Sequence, residues 1–120
     1  MILITKTFQK LLDKIKSITI QDISIEIQKH SLWLNNFKEL WKLKNRKVLK
    51  GYLLHKKVRL LVLFQEKNGN YLPFFIIKKE TTFWKNIRKD SLDFLNNKLD
   101  NIFDDLENND YEILNINKTF

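Results

Sequence analysis

"KKVRLLVLFQEKNGNYLPFFIIKK", residues 56–79, sets two apolar runs rich in β-branched and aromatic residues on either side of Asn68-Gly69-Asn70. Asn-Gly accepts the positive φ angles of a tight turn, so residues 58–65 and 71–77 are predicted to be antiparallel neighbours in a hairpin. Pro73 has no N–H to donate and belongs near a strand start or on an unpaired edge. Just upstream, "GYLLH" (51–55) reads as a further strand, joined to the hairpin through the basic turn Lys56-Lys57. Arg59 interrupts the first apolar run. The two-residue alternation of a strand turns it away from the side shared by Val58 and Leu60.

Working outward, "MILIT" (1–5) is short, apolar and β-branched, and reads as an opening strand. Phe8, Leu11, Leu12 and Ile15 then recur at three and four, the spacing of one helical stripe. A second helix is expected over 21–30, with Asp22 as its cap and Ile20, Ile23 and Ile27 facing inward. "SLWLNNFKELWKLKNRK" (31–47) carries opposed signals. Leu34, Phe37, Leu40 and Trp41 suit a helix while Asn35 and Asn36 suit a break, so the segment reads as irregular or partly helical. Beyond Thr82, Trp84, Ile87, Leu92, Leu95, Leu99, Ile102 and Leu106 keep helical spacing, widened by Phe94 and Phe103, until Asn108, Asn109 and Asp110 end the pattern. "YEILNIN" (111–117) reads as a terminal strand or a tail. The expected order is β-α-α-β-β-β-α in one α+β domain, since 120 residues at 43% hydrophobic content supply one core rather than two.

The chain has no cysteine, which removes disulfides, thiolate zinc sites and a cysteine nucleophile, and suits a reducing cytoplasm. No apolar run is long enough for a signal sequence or a membrane span; the longest is "LLVLF". Residues 1–89 hold 20 Lys and Arg against 6 Asp and Glu, whereas residues 90–120 hold 2 against 8. The first three quarters of the chain therefore attract anions, whether nucleic acid, an acidic protein partner or an anionic membrane surface, and charge sets a direction rather than a function.

Most catalytic readings fail for want of residues. His30 and His55 stand in no metal-binding spacing; His30 reads as the polar end of a helix, and His55, in "HKK", as a turn residue within reach of a phosphate. With two glycines there is no phosphate-binding loop, and none of the serines lies in a nucleophile-elbow context. Asp104, Asp105 and Glu107 read as the solvated face of an acidic helix end rather than a metal cluster.

What remains is a basic constellation on and around the sheet: Lys44, Arg46, Lys47, Lys50, Lys56, Lys57, Arg59, Lys78, Lys79, Lys85 and Arg88. Two readings of Arg59 stand: its head pairs with Glu66 or Glu80 while its stem packs, or it lines up with the Lys78–Lys79 end of the next strand to face a phosphate. The second arrangement suits RNA cleavage without a metal. When a ribose 2′-OH attacks the adjacent phosphate, clustered Lys and Arg stabilise the growing negative charge, and a lysine flanked by cations is pushed toward neutrality and so able to move protons. Phe83 or Trp84 could stack an unpaired base alongside, or else anchor the last helix to the sheet.

With its opening strand, two helices and "LKGYLLHKKVRLLVLFQEKNGNYLPFFIIKKE" (49–80), the chain resembles the RelE/ParE superfamily of bacterial type II toxins over roughly residues 1–89. The likeness lies in the Leu-Lys-Gly run, a strand with a central Arg, a hairpin, and a strand ending in basic residues. It implies a RelE-like small antiparallel sheet packed against two N-terminal helices, here followed by a long acidic C-terminal helix over 82–110. RelE-type members bind the ribosomal A site and cut messenger RNA with dispersed Lys and Arg and no cofactor. By position the resemblance implies a catalytic set of Lys50, Arg59, Lys78 and Lys79. Around it would lie an RNA-binding set of Lys47, Lys56, Lys57, Phe83, Trp84, Lys85 and Arg88. Phe83 and Trp84 stand where many relatives place a tyrosine. The implied partners are mRNA on the ribosome and a cognate antitoxin, in a toxin–antitoxin heteromer or beside a homodimer. The ParE branch instead inhibits gyrase without cutting RNA, and fold does not decide between the two. A basic nucleic-acid or ribosome-binding module, and an adaptor that docks through Leu95, Leu99 and Ile102, are further readings.

Overall fold

The structure, a computed structural model, describes residues 1–31, 37–43, 45–53, 57–78 and 92–114. Along the chain run β1 (Ile2–Thr5), α1 (Lys6–Asp13), α2 (Ile20–Ser31), β2 (Lys38–Leu43), β3 (Arg46–Leu53), β4 (Val58–Gln65), β5 (Asn70–Lys78), α3 (Leu92–Glu107) and β6 (Tyr111–Leu114). The six strands form one sheet in the order β2-β3-β4-β5-β1-β6. Every neighbouring pair is antiparallel except β1 with β5. The fold class is α+β with a mostly antiparallel sheet.

The hairpin at the centre of this sheet turns through Glu66 to Gly69, and Gly69 alone in that loop takes the left-handed conformation (φ 68°). Its N–H and that of Asn68 both donate to the Gln65 carbonyl, at 2.8 and 3.2 Å. Pro73 falls where the pairing of β4 with β5 shifts register, beside the point at which Leu61 opposes Phe75 and Val62 opposes Pro73. An irregular position of this kind tolerates the missing donor.

Local chemistry sets the helix ends. Thr5 Oγ1 accepts from Phe8 N at 3.2 Å and caps α1 directly off β1. At α2, Asp22 N donates to Thr19 Oγ1 (3.3 Å) and Thr19 N donates to the Asp22 carboxylate (2.9 Å), a reciprocal capping box. Thr19 is thus the capping residue in the place expected of Asp22, which closes the box from inside the first turn. The C-terminus of α3 closes on Asn109 (φ 57°), with Asp110 N on Asp105 O and Asn109 N on Leu106 O at 2.8 and 3.2 Å, a Schellman arrangement. The chain then enters β6 at once, and β1, flanked by β5 and β6, becomes an interior strand. The N-terminal part of the helix expected over 82–110 lies outside the described residues; the chain is helical from Leu92 to Glu107, three residues short of the expected end.

The segment expected to be irregular or partly helical contains β2. Its pairing with β3 slips between Glu39 and Trp41, so Leu40 is an extra residue and the two-residue alternation is broken there. That bulge puts Phe37, Leu40 and Trp41 at intervals of three and one, which in sequence imitates a helical stripe. Asn45 (φ 53°) makes the turn into β3, and Asn accepts that conformation better than most residues.

Register divides the sheet's residues between two faces. Lys47, Leu49, Gly51 and Leu53 of β3 share one face with Val58, Leu60, Val62 and Phe64 of β4; Arg46, Val48, Lys50 and Tyr52 share the other with Arg59, Leu61, Leu63 and Gln65. Leu60, Leu61, Val62 and Leu63 are all buried, so β4 is covered on both sides. That explains an apolar run without alternation. Helix α2 lies against the first face, where His30 meets Tyr71. Helix α3 lies against the second, where Phe103 meets Arg46 and Lys98 meets Phe75. Buried Phe8 and Leu12 of α1, Ile23 and Ile27 of α2, and Leu99 and Ile102 of α3 complete the core. Among the described residues no helix is long and apolar enough to cross a membrane.

Candidate functional site

Strands β3 and β4 carry the chemistry that the sequence singled out. On the α3 face, Tyr52 stands directly opposite Arg59, and Lys50, two residues earlier, points to the same side. The Arg59 guanidinium carbon lies 5.4 Å from the centroid of the Tyr52 ring and the Lys50 ammonium 5.9 Å from it. Both are within the range where a cation is drawn to an aromatic face. Across the next pairing Lys38 of β2 is opposite Lys50, so two like charges meet at the sheet's outer strand. Such a pair destabilises a strand pairing unless something negative lies between the charges. Lys50, Tyr52 and Arg59 are half-buried and Lys38 is exposed. Three cations and one phenol ring are thereby gathered on one side of three adjacent strands.

The same register separates Lys78 from this group. Lys78 is opposite Val58, while Ile77 is opposite Arg59, so the exposed Lys78 belongs to the other face. Of the two lysines expected as alternatives to align with Arg59, Lys78 does not, because antiparallel pairing places the two one residue out of step; Lys79 lies outside the described residues. Lys47 is also on the α2 face, paired with Glu66 at 3.6 Å. Glu66, one of the two carboxylates expected to meet Arg59, is thus the partner of Lys47. Lys57 is exposed in the turn before β4, and Arg46 lies over the Phe103 ring at 5.1 Å. Lys44, His55, Lys56, Lys79, Glu80, Phe83, Trp84, Lys85 and Arg88 lie outside the described residues.

His30 is more than a polar helix end. Its Nδ1 is 3.0 Å from the Tyr71 hydroxyl, its ring stacks on Phe37 with centroids 5.6 Å apart, and it meets Phe64 and Tyr71 edge-on at 6.0 and 5.7 Å. Burial, and then the positive charge of Lys47, hold its pKa below the ordinary histidine value. Burial likewise raises the Tyr71 hydroxyl above its ordinary value. Phe37 in turn covers Gly51, where an added Cβ would collide with the ring. Gly51 is flanked by Lys50 and Tyr52, so this aromatic cluster backs the strand that presents the cations.

Elsewhere, Asp105 accepts from Thr7 N at 2.7 Å, while Asp104 and Glu107 are exposed, as a solvated helix end would be. Among the described residues no group of three or more His, Asp or Glu could hold a metal ion. A groove of about 330 Å³ opens near Ile4, Lys6, Lys10 and Glu112, at the β1–β6 side of the sheet and apart from the cations. Tyr52 and Lys38 are the functional candidates that sequence reasoning passed over. "LKGY" held the signal for Tyr52, because strand alternation puts residues 50 and 52 on one face. Lys38 had none, since it required recognising β2. The chain matches no family model, no curated protein and no solved structure.

Proposed function

We propose that the chain is a RelE/ParE-type toxin of a type II toxin–antitoxin system, a metal-independent endoribonuclease that cuts messenger RNA on the ribosome in the bacterial cytoplasm. The observation that carries the reading is the convergence of Lys50 and Arg59 on one face around Tyr52, with Lys38 beside them. Two helices ahead of the meander and the helix after it would make up the RelE-like arrangement, and a cognate antitoxin would neutralise the toxin by laying acidic residues over the cations. In the reaction the 2′ oxygen attacks the neighbouring phosphorus and its proton passes to water. Charge grows on the nonbridging oxygens, where the Arg59 guanidinium binds them. The Lys50 ammonium protonates the departing 5′ oxygen, leaving a 2′,3′-cyclic phosphate and a 5′-hydroxyl.

The position of Lys78 on the opposite face favours a second reading, in which the same cations hold RNA or the ribosome without cutting. Induced expression in a bacterium, with transcript 5′ ends mapped for the wild type and a Lys50→Ala/Arg59→Ala variant, decides between them. Growth arrest with codon-phased cuts in the wild type alone is the expected result. Arrest without cuts would leave the binding module, loss of DNA supercoiling would move the target to gyrase, and arrest that persists in a folded double variant would overturn the site.

A further inference from the structure

We infer that Tyr52 is a positioning residue: its ring gathers the Lys50 and Arg59 side chains into one anion-binding pair. Strand register makes Lys50 and Arg59 diagonal neighbours on one face, but it does not set where their charged ends lie. Lys50 and Arg59 come from different strands and are not paired across them: Lys50 is opposite Leu61 and Arg59 is opposite Tyr52. Two like charges side by side repel one another, and each stem loses rotamer freedom when an anion fixes it. The ring occupies the position from which both can be held, directly across from Arg59 and two residues along from Lys50, at 5.4 and 5.9 Å. Its negative π-face draws each cation and offsets their mutual repulsion before any ligand arrives. Gly51 and Phe37 fix the ring from behind. With Phe37 seated on Gly51, the backbone between Lys50 and Tyr52 has no room to shift toward the α2 face.

The consequence for RNA rests on the function proposed above, but the ordering of the two cations does not, and the two can be tested separately. Tyr52→Phe keeps the ring and removes the hydroxyl; Tyr52→Leu removes the ring and keeps apolar bulk. In the ligand-free protein, NMR shifts of the Lys50 Cε and Arg59 Cδ protons should show the ring current in the wild type and Tyr52→Phe, and move to ordinary values in Tyr52→Leu. Affinity for a short single-stranded RNA at low salt should be near wild type for Tyr52→Phe and about twofold to fivefold weaker for Tyr52→Leu, the range for one partly exposed cation–π interaction. Shifts in Tyr52→Leu equal to wild type would overturn the positioning role. So would a Tyr52→Phe variant as weak as Tyr52→Leu, which would place the role on the hydroxyl. Ring-current shifts as expected in a protein that binds no RNA would uphold the positioning and refute the RNA reading.

Discussion

Strand β3 builds two unlike surfaces from alternate residues. Toward α2 it presents Lys47, Leu49, Gly51 and Leu53, and the side chain of Phe37 fills the space that Gly51 leaves. Toward α3 it presents Arg46, Val48, Lys50 and Tyr52, and there charge collects around a ring instead of rings around a histidine. On the first face a polar group is taken in, hydrogen-bonded and held below its ordinary pKa by burial; on the second, cations stay half-exposed. The difference shows how one short strand serves packing and recognition together: a residue with no side chain on the packed side lets the backbone be clamped, and the clamp holds the charged side in place.

The sharpest way to break this pairing is Gly51→Ala. The new methyl would enter the space of the Phe37 ring, and overpacking of this kind costs about 1–3 kcal/mol. A urea melt should show that loss, and the NMR signals of Lys50 and Tyr52 should move with it. An unchanged midpoint would mean that Phe37 can leave without consequence. A smaller effect is expected from pH. His30 is held below its ordinary pKa in the folded chain by burial and by Lys47. The unfolded chain therefore binds the proton more readily, and the stability tied to neutral His30 is full above about pH 6.5 and lost as pH falls below it. The groups facing the ring are Lys47 from β3, Tyr71 from β5 and, through Lys47, Glu66 of the hairpin loop. Unfolding midpoints measured from about pH 7.5 down to about 5.5 should fall less steeply for His30→Phe than for wild type; parallel slopes would remove His30 from the account. The smallest effect belongs to Lys47→Ala. Its pair with Glu66 is partly exposed and contributes about 0–1 kcal/mol, so stability should hardly change, while an NMR titration should find the His30 pKa higher than in wild type.

How much of this was legible in sequence follows from where the period-2 and helical signals stayed clean. The β4–β5 hairpin was readable because Gly69 sat between two long apolar runs, and Arg59 could be assigned a face by alternation alone. Strand β2 was not readable, since the bulge at Leu40 replaced alternation with a helix-like interval. The failure of Arg59 to align with Lys78 was a matter of register. A one-residue difference in pairing sends a side chain to the opposite face, and nothing in either strand's own sequence fixes that difference. Tyr52 was visible as a residue yet silent as a site component, because its meaning depends on Arg59 being its neighbour on another strand. His30 was silent for the same reason, its partners Phe37, Phe64 and Tyr71 arriving from three further segments.

The most direct test of the cationic face is the affinity for a single-stranded RNA oligonucleotide measured across a range of salt concentrations, for wild type and for Lys50→Ala/Arg59→Ala. If each residue neutralises one phosphate, the double variant should bind more weakly, and its slope of log affinity against log salt should be shallower by about 1.4, at about 0.7 for each phosphate no longer neutralised. Equal affinity and equal slope in the two proteins would contradict the assignment of Lys50 and Arg59 to an RNA phosphate.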